Sequence, residues 1–252
     1  MIFLSLVVGL LLQARTDTSG AGYEREILRD SIRLKIVTFG NSITAERKGI
    51  QQVYAQRLPA LLAEKGISAH VINSGVGGSH TGRFADHPLF KIKHALDRFE
   101  TDVLAHKPDL VTFGFGTNDA YIDSKVKDGP SRIPLDKFRD NLTYMIKTLK
   151  AQGSEIILIV PNIMSGQSGG IQNDRLLLYR KVLKKLSRKY HTGFVDNYMG
   201  FLDYQKKTGE PYETLIPDGV HPNDKGHELI AASLAKEIER VVNKTRKKHE
   251  AH

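Results

Sequence analysis

The sequence predicts an α/β fold in which an open parallel sheet is covered by helices on both faces. Short apolar runs alternate with helical stretches from Leu34 to the end of the chain, in the order β-α-β-α. Nearly every run also ends in a cluster of Gly, Asn or Ser. In such sheets the ligand site forms outside the carboxyl ends of the strands, so these clusters gather at the edge where chemistry is expected.

Residues 34–39 (LKIVTF) read as the first strand and residues 69–73 (AHVIN) as the second. Between them, residues 50–66 are helical by the spacing of Val53, Leu58, Leu61 and Leu62, with Pro59 expected to kink or interrupt the helix. Residues 110–113 and 155–160 form the third and fourth strands, each entered from a helical stretch. A basic helix over 174–190 precedes a short fifth strand at 193–195. The last helix, 224–242, carries an apolar stripe of Ile230, Leu234, Ile238 and Val241 that would pack on the sheet.

A chain of 252 residues can bury one substantial core, and no linker or repeat divides it. The expected organisation is therefore a leader over residues 1–22 and a single domain over 23–252. The apolar run 2–12 is too short for a bilayer span, which needs roughly 20 apolar residues, and fits a secretory signal better. Export to the periplasm or the extracellular space follows as the expectation, with a lipid-facing anchor or a misassigned start as alternatives. Zero cysteines exclude disulfides, a Cys nucleophile and Cys-ligated zinc. The net charge of +9 owes much to Lys and Arg clustered between 236 and 248. Without interleaved aromatic residues this reads as a solvated face and not as a nucleic-acid site, although it still suits acidic surfaces or anionic polysaccharides.

Two stretches near opposite ends of the chain supply a serine nucleophile and its base. They are Phe39-Gly40-Asn41-Ser42-Ile43-Thr44 and Asp218-Gly219-Val220-His221-Pro222. A serine hydroxyl attacks an ester only when an imidazole takes its proton and an acceptor orients that imidazole. His221 and Asp218, three positions apart, let one loop carry both. The developing oxyanion needs preorganised donors, and the candidates are the Ser42 and Gly78 backbone N–H groups and the Asn118 side-chain amide. Gly78 closes Asn73-Ser74-Gly75-Val76-Gly77-Gly78, and Asn118 lies in Gly114-Phe115-Gly116-Thr117-Asn118-Asp119. Singly, each residue has a plainer role: a turn former, a helix cap at Ser42, a cap at Asn223 or Asp224, a surface histidine at 221. Their occurrence together at one sheet edge favours catalysis.

These blocks resemble those of the SGNH, or GDSL-type, hydrolase superfamily over most of the chain after Arg33. By that resemblance Ser42 is the nucleophile, Gly78 and Asn118 of the G-x-N-D pattern complete the oxyanion hole, and Asp218 and His221 are the D-x-x-H pair. It further implies a flavodoxin-like three-layer α/β/α sandwich, no metal or other cofactor, and ester hydrolysis through an acyl-enzyme. The chain departs from the family at Asn41, where Gly-Asp-Ser is usual. Asn41 lacks the charge but keeps hydrogen-bonding capacity, so retuned activity is expected and not its loss.

A rival elbow, Gly166-Gln167-Ser168-Gly169-Gly170, matches G-x-S-x-G, but residues 161–164 separate it from the fourth strand. A flexible substrate-side loop is the preferred reading. His227-Glu228 begins a zinc motif that Ala231 breaks. The segments 120–134, 162–173 and 197–217 are polar, with Tyr121, Tyr198, Tyr204 and Tyr212. They point to a short acyl group, acetyl above all, on a sugar or polysaccharide, or else to tyrosines that merely cover the core. Lysophospholipase or thioesterase specificity, acyl transfer to an alcohol, and an inactive carbohydrate-binding homologue remain as alternatives. Oligomeric state is not legible.

Overall fold

The computed structural model describes residues 33–88 and 90–250. The expected leader lies outside these residues. Five strands form one sheet: β1 (Leu34–Gly40), β2 (Ala69–Gly75), β3 (Leu110–Gly114), β4 (Glu155–Val160) and β5 (Gly193–Asp196). Their order is β2-β1-β3-β4-β5 and every pairing is parallel. The central strands are apolar on both faces because both are covered, and Ile36, Val37, Thr38 and Phe39 are fully buried.

One helical layer holds α1 (Tyr54–Ala63) and the last helix, α7 (Asp224–Glu250), in contact with each other. The opposite layer holds α2 (Ala95–Asp102), α4 (Leu135–Ala151) and α5 (Ile171–Tyr190). Its core is aromatic: the Phe39 ring meets Phe99 of α2 at 6.2 Å, and Phe138 of α4 meets Tyr179 of α5 at 4.9 Å. Burying each such ring stabilises the fold by roughly 1.5–3 kcal/mol. A four-residue turn of helix, α3 (Thr117–Ala120), follows β3 directly.

The strands run one to two residues beyond the expected ends at β1, β2, β3 and β5, so Gly40, Gly75 and Gly114 come into register at the carboxyl edge. Gly40 is required there, since a Cβ would lie 2.0 Å from Thr44 Oγ1. Pro59 neither ends nor interrupts α1, because burial of Tyr54, Ala55, Leu58 and Leu62 holds the helix around it. The segment 197–217, expected as a polar pocket loop, is corrected by α6 (Asn197–Thr208) and a short 3₁₀ turn. Asp196 caps α6 by accepting from Met199 N, and Gly209 ends it, which are start and stop signals the sequence carried.

Candidate active site

The turn after β1 presents Ser42. Its backbone is tied at both ends: Asn41 N donates to Gly114 O of β3, and Thr44 N and Ala45 N both donate to Asn41 O. The Asn41 side chain adds a third tie, accepting from Ile43 N at 3.0 Å through Oδ1. Ser42 is thereby held at the edge of the sheet, its Oγ 2.9 Å from His221 Nε2.

His221 and Asp218 lie on the loop that leads into α7. Asp218 Oδ2 accepts from His221 Nδ1 at 2.8 Å, while Oδ1 accepts from the backbone N–H of His221 at 2.7 Å and of Val220 at 3.0 Å. With Nδ1 donating to the carboxylate, Nε2 carries the free lone pair and can take the Ser42 proton. The loop itself is pinned by the segment after β4: Asn162 Nδ2 donates to Val220 O and Ser165 N donates to Gly219 O.

Gly78 and Asn118 occupy neighbouring loops at the same edge. Gly78 adopts φ +75°, a conformation L side chains rarely take, and a Cβ there would meet the Phe90 ring at 3.0 Å. Neither Ser42 N nor Gly78 N has an acceptor among the described residues. Asn118 Nδ2 donates one hydrogen to Ser79 O at 3.0 Å, which leaves a second for a ligand. The five sequence candidates thus supply a proton relay and three N–H groups, each of the three with a hydrogen not taken by another residue.

Residues 38–229 match the family model described as the GDSL-like lipase/acylhydrolase family. The chain belongs to that family. It is a carboxylic ester hydrolase by membership. It is 28% identical over 254 residues to the protein described as the uncharacterized lipoprotein YqeF of Bacillus subtilis (strain 168), covering 89% of this chain and 93% of that one. An acetylxylan esterase of Geobacillus stearothermophilus is 27% identical over 190 residues, 72% of this chain and 76% of the relative. The crystal structure of Axe2, an acetylxylan esterase from Geobacillus stearothermophilus, superposes with a TM-score of 0.65 at 25% identity, covering 81% of this chain and 94% of that one. Three further structures of that enzyme are described as catalytic mutants, in which a Ser, a His or an Asp is replaced by Ala.

Three residues of the esterase that sequence reasoning left without a role shape this site. Asp119 is fully buried and bridges two loops: Oδ1 accepts from Thr81 N and Thr81 Oγ1, and Oδ2 accepts from Gly116 N. Burial pushes its carboxyl up to about 6 against those hydrogen bonds. Arg47 donates to Asp218 Oδ2 and to Pro222 O. Arg132 donates to Asn118 Oδ1 at 3.2 Å. Asp119 stood in the G-x-N-D block and could have been read as a loop tie, whereas no local pattern marks Arg47 or Arg132. Partial burial raises the Asp218 carboxyl, but the His221 and Val220 N–H groups and the imidazole carry it down to about 2, so it is ionised at neutral pH.

Ser168 sits in a 3₁₀ turn (Gly166–Ser168) beside Gly219 and takes no imidazole partner among the described residues. His227 is buried and accepts from Tyr54 N through Nδ1, with burial holding it down near 4. No group of three or more His, Asp or Glu among the described residues is arranged to hold a metal, and no described helix is long and apolar enough to cross a membrane. Of the four loop tyrosines, Tyr121 packs at Arg132 next to Asn118, while Tyr198 is buried in the core and Tyr204 and Tyr212 lean on it. The plainer reading therefore holds for those three.

Proposed function

We propose that this esterase removes short acyl groups, acetyl above all, from carbohydrate esters through an acyl-enzyme on Ser42. The observation that carries the reading is the continuous relay from Ser42 Oγ through His221 to Asp218, at 2.9 and 2.8 Å, beside N–H groups with no other acceptor. His221 takes the hydroxyl proton as Oγ bonds to the ester carbonyl carbon, and Asp218 stabilises the imidazolium formed. The carbonyl oxygen becomes an oxyanion facing the Ser42 and Gly78 N–H groups and the spare Asn118 N–H. Collapse breaks the bond to the alcohol oxygen, which leaves with the proton from His221. A water, activated by the same imidazole, then cleaves the acyl-Ser42 ester and releases the acid.

Acetylated sugar is favoured because the named relatives with an activity include acetylxylan esterases, and because the segments 120–134 and 162–173 are polar. Export is part of the same reading, supported by the apolar leader and the likeness to a lipoprotein. The test is hydrolysis of 4-nitrophenyl acetate, a long-chain 4-nitrophenyl ester and acetylated xylo-oligosaccharide by the chain without its first 22 residues. Acetate turnover should exceed the long-chain rate, fall about 10⁴-fold or more in Ser42→Ala, and persist in Ser168→Ala. Equal activity in wild type and Ser42→Ala would sink the assignment of the nucleophile.

A further inference from the structure

We propose that Arg132 is the positioning residue for the Asn118 oxyanion donor, setting both the orientation and the donor strength of its amide; this rests on the role given to Asn118 above.

An asparagine amide can face either way, and its direction is set by its partners. A guanidinium has donors only, so the Asn118 group that faces Arg132 Nη1 has to be the oxygen. That choice sends Nδ2 toward Ser79 O and toward the site. A cationic donor on the amide oxygen also draws electron density from the nitrogen, which makes the remaining N–H a better donor to a developing oxyanion.

The guanidinium is itself immobilised. Three of its hydrogen bonds, at 2.6–3.1 Å, run to the two Asp123 oxygens. It lies 4.4 Å from the Tyr121 ring centroid and 5.3 Å from that of Phe90, and its side chain is only 9% exposed. The backbone repeats the tie, since Arg132 N donates to Tyr121 O and Ile133 N to Asp119 O at the neck of the loop. Asp123 neutralises Arg132 at close range, so Arg132 acts through contact and not as a distant field on the substrate. An effect on kcat with little effect on KM is the signature of that arrangement.

The experiment is a double-mutant cycle on the folded chain with 4-nitrophenyl acetate: wild type, Arg132→Met, Asn118→Ala and the double variant, each with thermal unfolding measured. Removing one oxyanion donor costs about 10²–10³-fold in kcat, so Asn118→Ala should fall in that range. Arg132→Met should lower kcat by about tenfold, a part of that loss, with KM within about twofold, and the double variant should be no slower than Asn118→Ala alone. Multiplicative losses, or an Arg132→Met variant with wild-type kcat, would overturn the proposal. Should Arg132→Met fail to fold, Asp123→Asn loosens the same guanidinium, and its loss of kcat must likewise vanish in the Asn118→Ala background. An inert wild type, matched by Ser42→Ala, would instead defeat the ester-hydrolysis reading itself.

Discussion

Arg47 Nη1 lies 3.3 Å from the same Asp218 oxygen that accepts from His221 Nδ1 at 2.8 Å. In the proposed mechanism two positive groups, a permanent guanidinium and a transient imidazolium, therefore share one acceptor. Arg47 is 29% exposed, so solvent screens its charge and leaves a modest effect. Removing it leaves His221 Nδ1 as the one side-chain donor to Asp218 Oδ2 among the described residues and frees the loop at Pro222 O. Arg47→Met should therefore lower kcat/KM on 4-nitrophenyl acetate by about threefold to tenfold, in keeping with a partly exposed ion pair. An unchanged kcat/KM with a lowered Tm would show that Arg47 only braces the loop through Pro222 O.

Asn41 is where the chain leaves its family's usual motif, and its contacts show which part of the side chain matters. Oδ1 accepts from Ile43 N and shapes the Ser42 turn, whereas Nδ2 is buried without a partner among the described residues. An aspartate would present the same acceptor, so Asn41→Asp should keep kcat within a few fold. Its second oxygen would put charge in a site that is 1% exposed, and the Tm deficit should shrink as pH falls and that carboxyl is protonated. Asn41→Ala leaves the Ile43 N–H without its acceptor and should cost about 1–3 kcal/mol of stability together with kcat. The ordering of the two variants in kcat is the measurement.

The residues brought together at the sheet edge were legible because Ser42, Gly78 and Asn118 sit in short blocks after strands and Asp218 and His221 in one short block before the last helix, where sequence position and spatial position nearly coincide. The strands were legible for the same local reason, an apolar run closed by glycine. What was not legible is held by long-range contacts. Arg132 reaches Asn118 across 14 positions and Arg47 reaches Asp218 across 171, with no periodicity to announce either. Tyr198 and Tyr204 misled because a helix, α6, turns them onto the core, as the 3₁₀ turn Tyr212–Leu215 does Tyr212, and only the caps of α6 could have signalled its helix.

Acid should destabilise the fold through its buried histidines. His80, His94 and His227 each accept a backbone N–H at Nδ1, from Gly82, His80 and Tyr54, and must be neutral to do so. Burial, the largest cause, holds His80 and His227 down to about 4, with the His94 ring stacked at 3.5 Å opposing charge on His80, and His94 is lowered as well. Between about 4 and 6.5 the unfolded chain binds more protons at these groups than the folded one. Their stability is therefore complete above 6.5 and is lost as pH falls toward 4, on the order of 2 kcal/mol for each of His80 and His227. Asp119 works the other way, since its raised carboxyl gains protons first in the fold. Three groups outweigh one, so Tm should drop steadily from pH 7.5 to 4.5. His227→Gln should start lower and fall less steeply, and a flat or rising Tm in the wild type would contradict the assignment.

Phe90 offers a test of acyl-chain length. Its ring stands over Gly78, whose N–H faces the ester carbonyl in the proposed mechanism, yet it is 38% exposed and so forms a wall open to solvent. The prediction is that an acyl chain longer than acetyl extends from that carbonyl toward this wall. Phe90→Ala should then raise the butyrate-to-acetate ratio of kcat/KM by about fivefold or more, in line with the worth of added methylenes in a pocket. Gly78→Ala should lower kcat on both esters, because it strains a φ of +75° and pushes the ring aside without enlarging the space. A ratio left unchanged in Phe90→Ala would mean that the acyl group points away from residues 84–93 and toward the segment 161–170, which packs against the Asp218 and His221 loop.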